Sequence, residues 1–98
     1  MNERVLLEVP GASLPFYTYE DGGVTYIEFD SSASQSPEPM VNAMKGFGLI
    51  VGTDKCLVMI NAHEPTPLYT RVASDFSWDV EVLESGDIKI VFKNRVKE

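Results

Sequence analysis

The chain has 98 residues, of which 44% are hydrophobic, and its formal net charge is −7. This length suits one domain with one core, and the acidic balance disfavours nucleic acid and anionic membranes as partners. Its apolar runs are too short to span a membrane, and its single cysteine, Cys56, excludes an intramolecular disulfide. We therefore expect an acidic cytoplasmic protein with one domain over residues 1–98.

The first 23 residues are predicted to extend the core rather than to form it. An apolar run from Val5 to Val9 ends at Pro10-Gly11, which favours a short edge strand. Aromatic and β-branched residues recur in segments 16–20 and 24–29, which predicts two strands. Asp21-Gly22-Gly23 between them is typical of a hairpin turn.

Ser36 is predicted to cap the first helix, because its hydroxyl can accept from a free N–H and Pro37 suits the first helical position. Apolar residues at helical spacing should face the core. These are Met40, Val41, Met44 and Phe47. Gly46 and Gly48 are predicted to end the helix.

The segment from Cys56 to Ile60 is continuously apolar, which indicates a strand central in its sheet. Cys56 is interpreted as a small buried hydrophobic residue. Pro65 and Pro67 fall in the first turn of a second predicted helix. The buried side of that helix comprises Leu68, Tyr69 and Val72.

The last two predicted strands, 76–82 and 88–93, alternate apolar and polar residues. A three-residue loop, Glu84-Ser85-Gly86, pairs Leu83 with Asp87 and requires a glycine at its last position. The resulting register sets Trp78 opposite Phe92, Val80 opposite Ile90, Val82 opposite Ile88 and Glu81 opposite Lys89. A slip of one residue would mix the two faces, which favours this register.

Together these elements predict an α+β fold, a two-layer α/β sandwich with a core of about residues 24–93. The core order is β-α-β-α-β-β. Its first two strands are joined by a helix and should run parallel. Both helices would then cover one face of a mixed four-stranded sheet, and the N-terminal strand or hairpin would add to an edge.

Asp30 precedes Ser36 by six residues, and Ser36-Pro37-Glu38-Pro39 opens the first predicted helix. This pattern resembles the TusA/SirA-like sulfur-carrier superfamily, in which an Asp is followed six residues later by Cys-Pro-x-Pro. The resemblance covers about residues 24–93 and implies the same β-α-β-α-β-β fold. Ser36 stands where those relatives carry a persulfide on cysteine, and a hydroxyl cannot form a persulfide. The substitution therefore argues against sulfur relay by the family's mechanism.

The chain is also similar to a branch of that superfamily whose function is unknown. That branch has His-Glu-Pro-x-Pro-Leu-Tyr before its second helix and Phe-Ser-Trp soon after. Residues 63–69 and 76–78 match the two segments. The resemblance implies membership of this branch, which lacks the family cysteine.

Parallel strands end at the same edge of a sheet, so both helix starts should meet at one site. Paired helix N-termini favour an anion or a carboxylate, and His63 adds a group that titrates near neutrality. The candidate ligand- or partner-binding residues are Asp30, Ser36, Glu38, His63, Glu64 and Tyr69. Each also has a purely structural interpretation, such as a helix cap, a dipole partner, a histidine bonded to a backbone carbonyl or a core aromatic.

One histidine with two carboxylates, Asp30 and Glu64, is a poor zinc site. A hydrolase built from Ser36, His63 and either acid would lack the Gly-x-Ser-x-Gly turn. We therefore predict a non-enzymatic domain, without metal or cofactor, that binds a partner protein or a small anionic ligand. It would be a monomer or a weak homodimer, and it would bind neither nucleic acid nor membrane.

Two alternatives stay open. One is a carrier or catalytic role in sulfur or redox metabolism, related to TusA-type sulfur transfer. It would use His63 as acid–base and Cys56 as thiol. The other is an architectural module that dimerises through an edge strand.

Overall fold

A computed structural model describes residues 3–96. Within this range the elements are β1 (Val5–Leu7), β2 (Phe16–Asp21), β3 (Val24–Asp30), α1 (Glu38–Ile50), β4 (Cys56–Asn61), α2 (Thr66–Val72), β5 (Phe76–Val82) and β6 (Ile88–Asn94). The strands form one mixed sheet in the spatial order β1-β2-β3-β4-β6-β5. The predicted α+β class is therefore confirmed, but the sheet has six strands instead of four. The ends of the predicted domain, 1–2 and 97–98, lie outside the described residues.

The two additional strands come from the N-terminal segment, which was predicted to add to an edge of the four-stranded core. β1 pairs antiparallel with β2, and β2 pairs antiparallel with β3. Gly22 and Gly23 join β2 to β3 with φ angles of 60° and 82°, which a two-residue hairpin turn of this kind requires. Phe16 of β2 is buried, and its ring lies 5.0 Å from that of Phe29. The first strands thus contribute to the common core.

The centre of the sheet follows the predicted topology. β3 and β4 are parallel, with Phe29 opposite Met59, and β6 pairs antiparallel with the other side of β4. The predicted register of β5 and β6 is confirmed at all four pairs, including Trp78 opposite Phe92 and Glu81 opposite Lys89. The N–H of Leu83 donates to the carbonyl of Asp87 at 2.8 Å, which closes the predicted loop.

Both helices pack on the same face of the sheet. The ring of Phe92 is contacted by Phe47 of α1 and by Tyr69 of α2, at centroid distances of 4.9 and 6.3 Å. Buried apolar side chains from both helices and five strands form the core between the layers. No helix between residues 3 and 96 is long and apolar enough to cross a membrane.

The start of α1 differs from the prediction. Pro37, rather than Ser36, occupies the position before the first helical residue, and no side chain caps the helix. The peptide bond between Ser36 and Pro37 is cis. The Ser36 hydroxyl lies one residue too early to accept from the first turn, so its prediction as a cap was wrong.

The end and the buried face of α1 also differ. The helix continues through Gly46 and Gly48 to Ile50, so these glycines do not end it. Gly46 is buried because α1 crosses β4 closely there, and a Cβ at Gly46 would lie 2.5 Å from Leu57 Cδ1. This crossing turns Val41 and Met44 outward, to 43% and 39% exposure, against the prediction.

Candidate functional site

A cleft of about 140 Å³ opens between the N-terminal ends of α1 and α2. Ser36, Pro39 and Met40 line it on the α1 side. His63 and Pro65 are among the residues that line it on the α2 side. Both sides follow strands that end at the same edge, because β3 and β4 are parallel. Ser36 and His63, expected to be neighbours, thus lie at one cavity.

The floor of the cleft is held by buried polar side chains that the sequence patterns did not single out. Asn61, the last residue of β4, is 3% exposed and lines the cleft. Its Nδ2 donates to the carbonyl of His63 at 2.9 Å, and its Oδ1 accepts from the buried Ser31 hydroxyl at 2.8 Å. The N–H of Ser31 donates to the carbonyl of Ile60 at 2.7 Å. These bonds join the loop after β3 to the loop after β4.

His63 is exposed at the mouth of the cleft. Its Nδ1 lies 3.3 Å from the carbonyl oxygen of Glu64. With the proton on Nδ1 this contact is a long hydrogen bond, and Nε2 is left as an acceptor. An exposed ring with one long contact is not a core histidine, so it can bind a ligand without loss of packing.

The helix starts offer few free backbone N–H groups to an anion. In α2, Thr66 and Leu68 donate to carbonyls of the preceding loop at 3.0 and 2.9 Å, and Pro67 has no N–H. In α1, the N–H of Glu38 donates to a loop carbonyl at 3.0 Å, and Pro39 has none. Lysine and arginine are absent from the described residues that line the cleft. An apolar side chain therefore suits this cleft better than an anion does.

Asp30 and Glu38 lie outside the cleft. Asp30 accepts from the N–H of Ser32 at 2.8 Å and lines a separate cavity near the N-terminal hairpin. Glu38 accepts from the Ser13 hydroxyl at 2.6 Å, and the hydroxyls of Ser13 and Ser34 lower the pKa of Glu38. These two carboxylates stabilise loops. Over residues 3–96, no three His, Cys, Asp or Glu side chains are arranged to hold a metal ion.

Glu64 and Tyr69 form a pair beside the cleft without lining it. Tyr69 donates from its hydroxyl to Glu64 at 3.0 Å, and its ring stacks on Trp78 at a centroid distance of 4.5 Å. Burial, together with the Glu64 hydrogen bond, raises the pKa of Tyr69 above its ordinary value. The pair therefore fixes the residue next to His63 against β5.

We expect the free energy of unfolding to fall as the pH rises above about 10, the ordinary pKa of tyrosine. Burial and hydrogen bonds to Glu64 and Glu28 raise the pKa values of Tyr69 and Tyr19 in the folded state. The folded protein therefore binds more protons than the unfolded chain in alkaline solution, so stability present below this pH is lost above it. Urea unfolding between pH 8 and about 11 measures the slope. Tyr69→Phe should flatten it, and an unchanged slope in that variant would contradict the assignment.

Cys56 lies at the opposite end of β4 from His63. The six residues of this strand separate them by roughly 20 Å. Burial raises the pKa of the Cys56 thiol, and the nearby Lys93 offsets this only in part. The thiol and the imidazole therefore do not share one small-molecule site.

No family model matches this chain, and neither a curated protein sequence nor a solved structure matches it. The residues of the cleft are therefore the basis on which its role is assigned.

Proposed function

We propose that this protein is a non-enzymatic binding module that recognises a partner protein through the cleft between α1 and α2. The observation that carries the proposal is the lining of the cleft. Its walls include Pro39, Met40 and Pro65, with the polar groups of Ser36 and His63 beside them. An apolar side chain of the partner would enter between the walls, and Ser36 and His63 would hydrogen-bond its backbone.

The size of the cleft supports a side chain as its occupant. Its volume of about 140 Å³ is below the roughly 300–1,000 Å³ of pockets that enclose drug-sized ligands. Burying one large aliphatic side chain contributes about 1.5–3 kcal/mol, which suits a transient complex. The prolines reduce the entropy lost on binding, because their backbone is already restricted.

Charge supports a basic segment around that apolar side chain. The chain has a net charge of −7. Glu64 lies between His63 and Pro65, two residues that line the cleft, whereas the Glu38 carboxylate is turned to Ser13. The negative net charge, with Glu64 beside the cleft, attracts Lys and Arg and repels anions. A small anionic ligand is thus the less favoured of the two expected classes.

The proposal includes membership of the TusA/SirA-like superfamily, in the branch that lacks the family cysteine, and a cytoplasmic location. The order β3-α1-β4-α2-β5-β6 supports the superfamily, since it is the β-α-β-α-β-β order of that fold. Ser36 lines the cleft in place of a persulfide-carrying cysteine, which supports recognition rather than sulfur transfer. The protein acts as a monomer or weak homodimer and binds neither nucleic acid nor membrane.

Random peptides displayed on phage and selected on the immobilised protein should converge on an apolar residue beside Lys or Arg. His63→Ala should weaken binding of the selected peptides about tenfold, because it removes a hydrogen-bonding group from the mouth of the cleft. The melting temperature should change by less than about 2 °C, since His63 is exposed. Fluorescence anisotropy and thermal unfolding measure the two effects.

The matched control is Glu84→Ala in the loop between β5 and β6, another exposed polar residue that does not line the cleft. It should leave both quantities unchanged. Equal affinity in His63→Ala would contradict the cleft as the binding site, and a collapsed melting transition would make His63 structural. Selection of acidic peptides would favour the anionic ligand.

A further inference from the structure

β5 is the strand at one edge of the sheet and is paired with β6 on one side only. Its outer edge therefore presents backbone N–H and C=O groups that pair with no strand of the described chain. On the helix side, α2 contacts this strand through the stacking of Tyr69 on Trp78. Beyond that contact Val80 and Val82 are 43% and 69% exposed. The edge is both unpaired and partly apolar.

The opposite face of β5 is acidic. Asp79 and Glu81 alternate with the two valines and are exposed. Neither forms an ion pair with any residue between 3 and 96, although Glu81 lies opposite Lys89. The strand thus presents two carboxylates on one face and two apolar side chains on the other.

A second copy of this chain is a poor partner for the edge. Suppose that β5 of two copies pairs antiparallel about a two-fold axis. If the axis passes at Asp79, Val80 or Glu81, two carboxylates lie directly opposite each other. Like charges directly opposite destabilise a strand pair. The acidic residues therefore disfavour a homodimer through this strand.

We propose that β5 accepts an extended strand of a partner protein in which basic and apolar residues alternate. Its Lys or Arg side chains face Asp79 and Glu81, its apolar side chains pack on Val80 and Val82, and its backbone pairs with the free edge. The inner neighbour of β5 has this complementary pattern, since Lys89 lies opposite Glu81 and its apolar neighbours lie opposite the valines. This surface is separate from the cleft, so the proposal stands without the proposed function.

A labelled, blocked peptide Lys-Val-Lys-Val-Lys-Val tests the proposal, with Lys-Lys-Lys-Val-Val-Val as a control of equal composition and charge. The alternating peptide should bind about tenfold more tightly at low ionic strength. At saturation it should slow hydrogen exchange of the outward-facing amides of β5 about tenfold. The control peptide should leave the exchange of these amides nearly unchanged.

Asp79→Lys with Glu81→Lys should abolish this binding. Asp54→Lys with Glu84→Lys makes the same change of net charge at exposed positions outside β5. This control variant should retain most of the peptide binding. Equal affinity for the two peptides, equal loss in the two double variants, or unchanged exchange of the β5 amides would overturn the proposal. If raising the protein concentration without peptide slows exchange in β5, the edge pairs with a second copy of this chain and the proposal is overturned.

Discussion

Gly46→Ala is expected to destabilise the protein by about 1–3 kcal/mol, although alanine is the better helix former. The added Cβ would lie 2.5 and 2.9 Å from the two Cδ atoms of Leu57. Leu57 is fully buried in β4, so its side chain cannot move into solvent to make room. Either the leucine leaves its rotamer or α1 moves away from the sheet.

Gly48→Ala, two residues further along α1, is the matched control. A Cβ there meets no atom within 4 Å, and the residue is exposed. The same substitution should therefore stabilise the protein by about 0.5–1 kcal/mol. Urea unfolding measures both changes in stability, provided that the slope of the unfolding free energy against urea concentration is the same in each variant. A stability of Gly46→Ala at or above that of the unchanged protein would contradict the close crossing of α1 and β4.

Asn42→Leu is expected to cost about 2–4 kcal/mol of unfolding free energy. Asn42 is fully buried in α1, and its Oδ1 accepts from the N–H groups of Ser13 and Leu14 at 3.0 and 3.2 Å. Its Nδ2 donates to the Ser13 hydroxyl and to the carbonyl of Glu38, both at 2.9 Å. Leucine has a similar size but leaves two backbone N–H groups of the loop before β2 without their acceptor.

Ser13→Ala separates the two parts of this network. Ser13 is exposed and keeps its backbone bond to Asn42 when its hydroxyl is removed. The loss should be about 1 kcal/mol or less. Urea unfolding of the two variants gives the comparison. A cost of Asn42→Leu no larger than that of Ser13→Ala would show that the loop does not depend on the amide.

The sequence predicted the elements that depend on local patterns. The register of β5 and β6 follows from alternation and from the length of the loop, and the structure has the same pairs. The hairpin turn at residues 21–23 joins β2 to β3 as predicted, but whether β1 also pairs is not encoded locally, because its partner β2 lies across a loop. The buried face of α1 was mispredicted, because the prediction looked for apolar residues and Gly46 and Asn42 are not apolar side chains. Both are buried for reasons of contact that only the packed structure shows.

The cleft, too, has residues whose position could be predicted from the sequence and residues whose position could not. Ser36 and His63 could be placed at one edge of the sheet, since both follow parallel strands. Asp30 and Glu38 could not be placed, because a local bond to Ser32 and a bond to Ser13, which is distant in the sequence, turn their side chains to other partners. Asn61 was missed, although a polar residue directly after a continuous apolar strand is a usable signal for a buried amide at a loop.

We propose that the cleft takes an apolar side chain flanked by basic residues. Methyl-labelled methionine spectra test it directly, because Met40 and Met59 line the cleft whereas Met44 is exposed elsewhere on α1. A blocked Lys-Leu-Lys tripeptide should shift the Met40 and Met59 methyl signals and leave the Met44 signal in place. Glu-Leu-Glu should shift none of them. Equal shifts at Met44, no shift at Met40 and Met59, or an equal effect of the acidic tripeptide would contradict the claim.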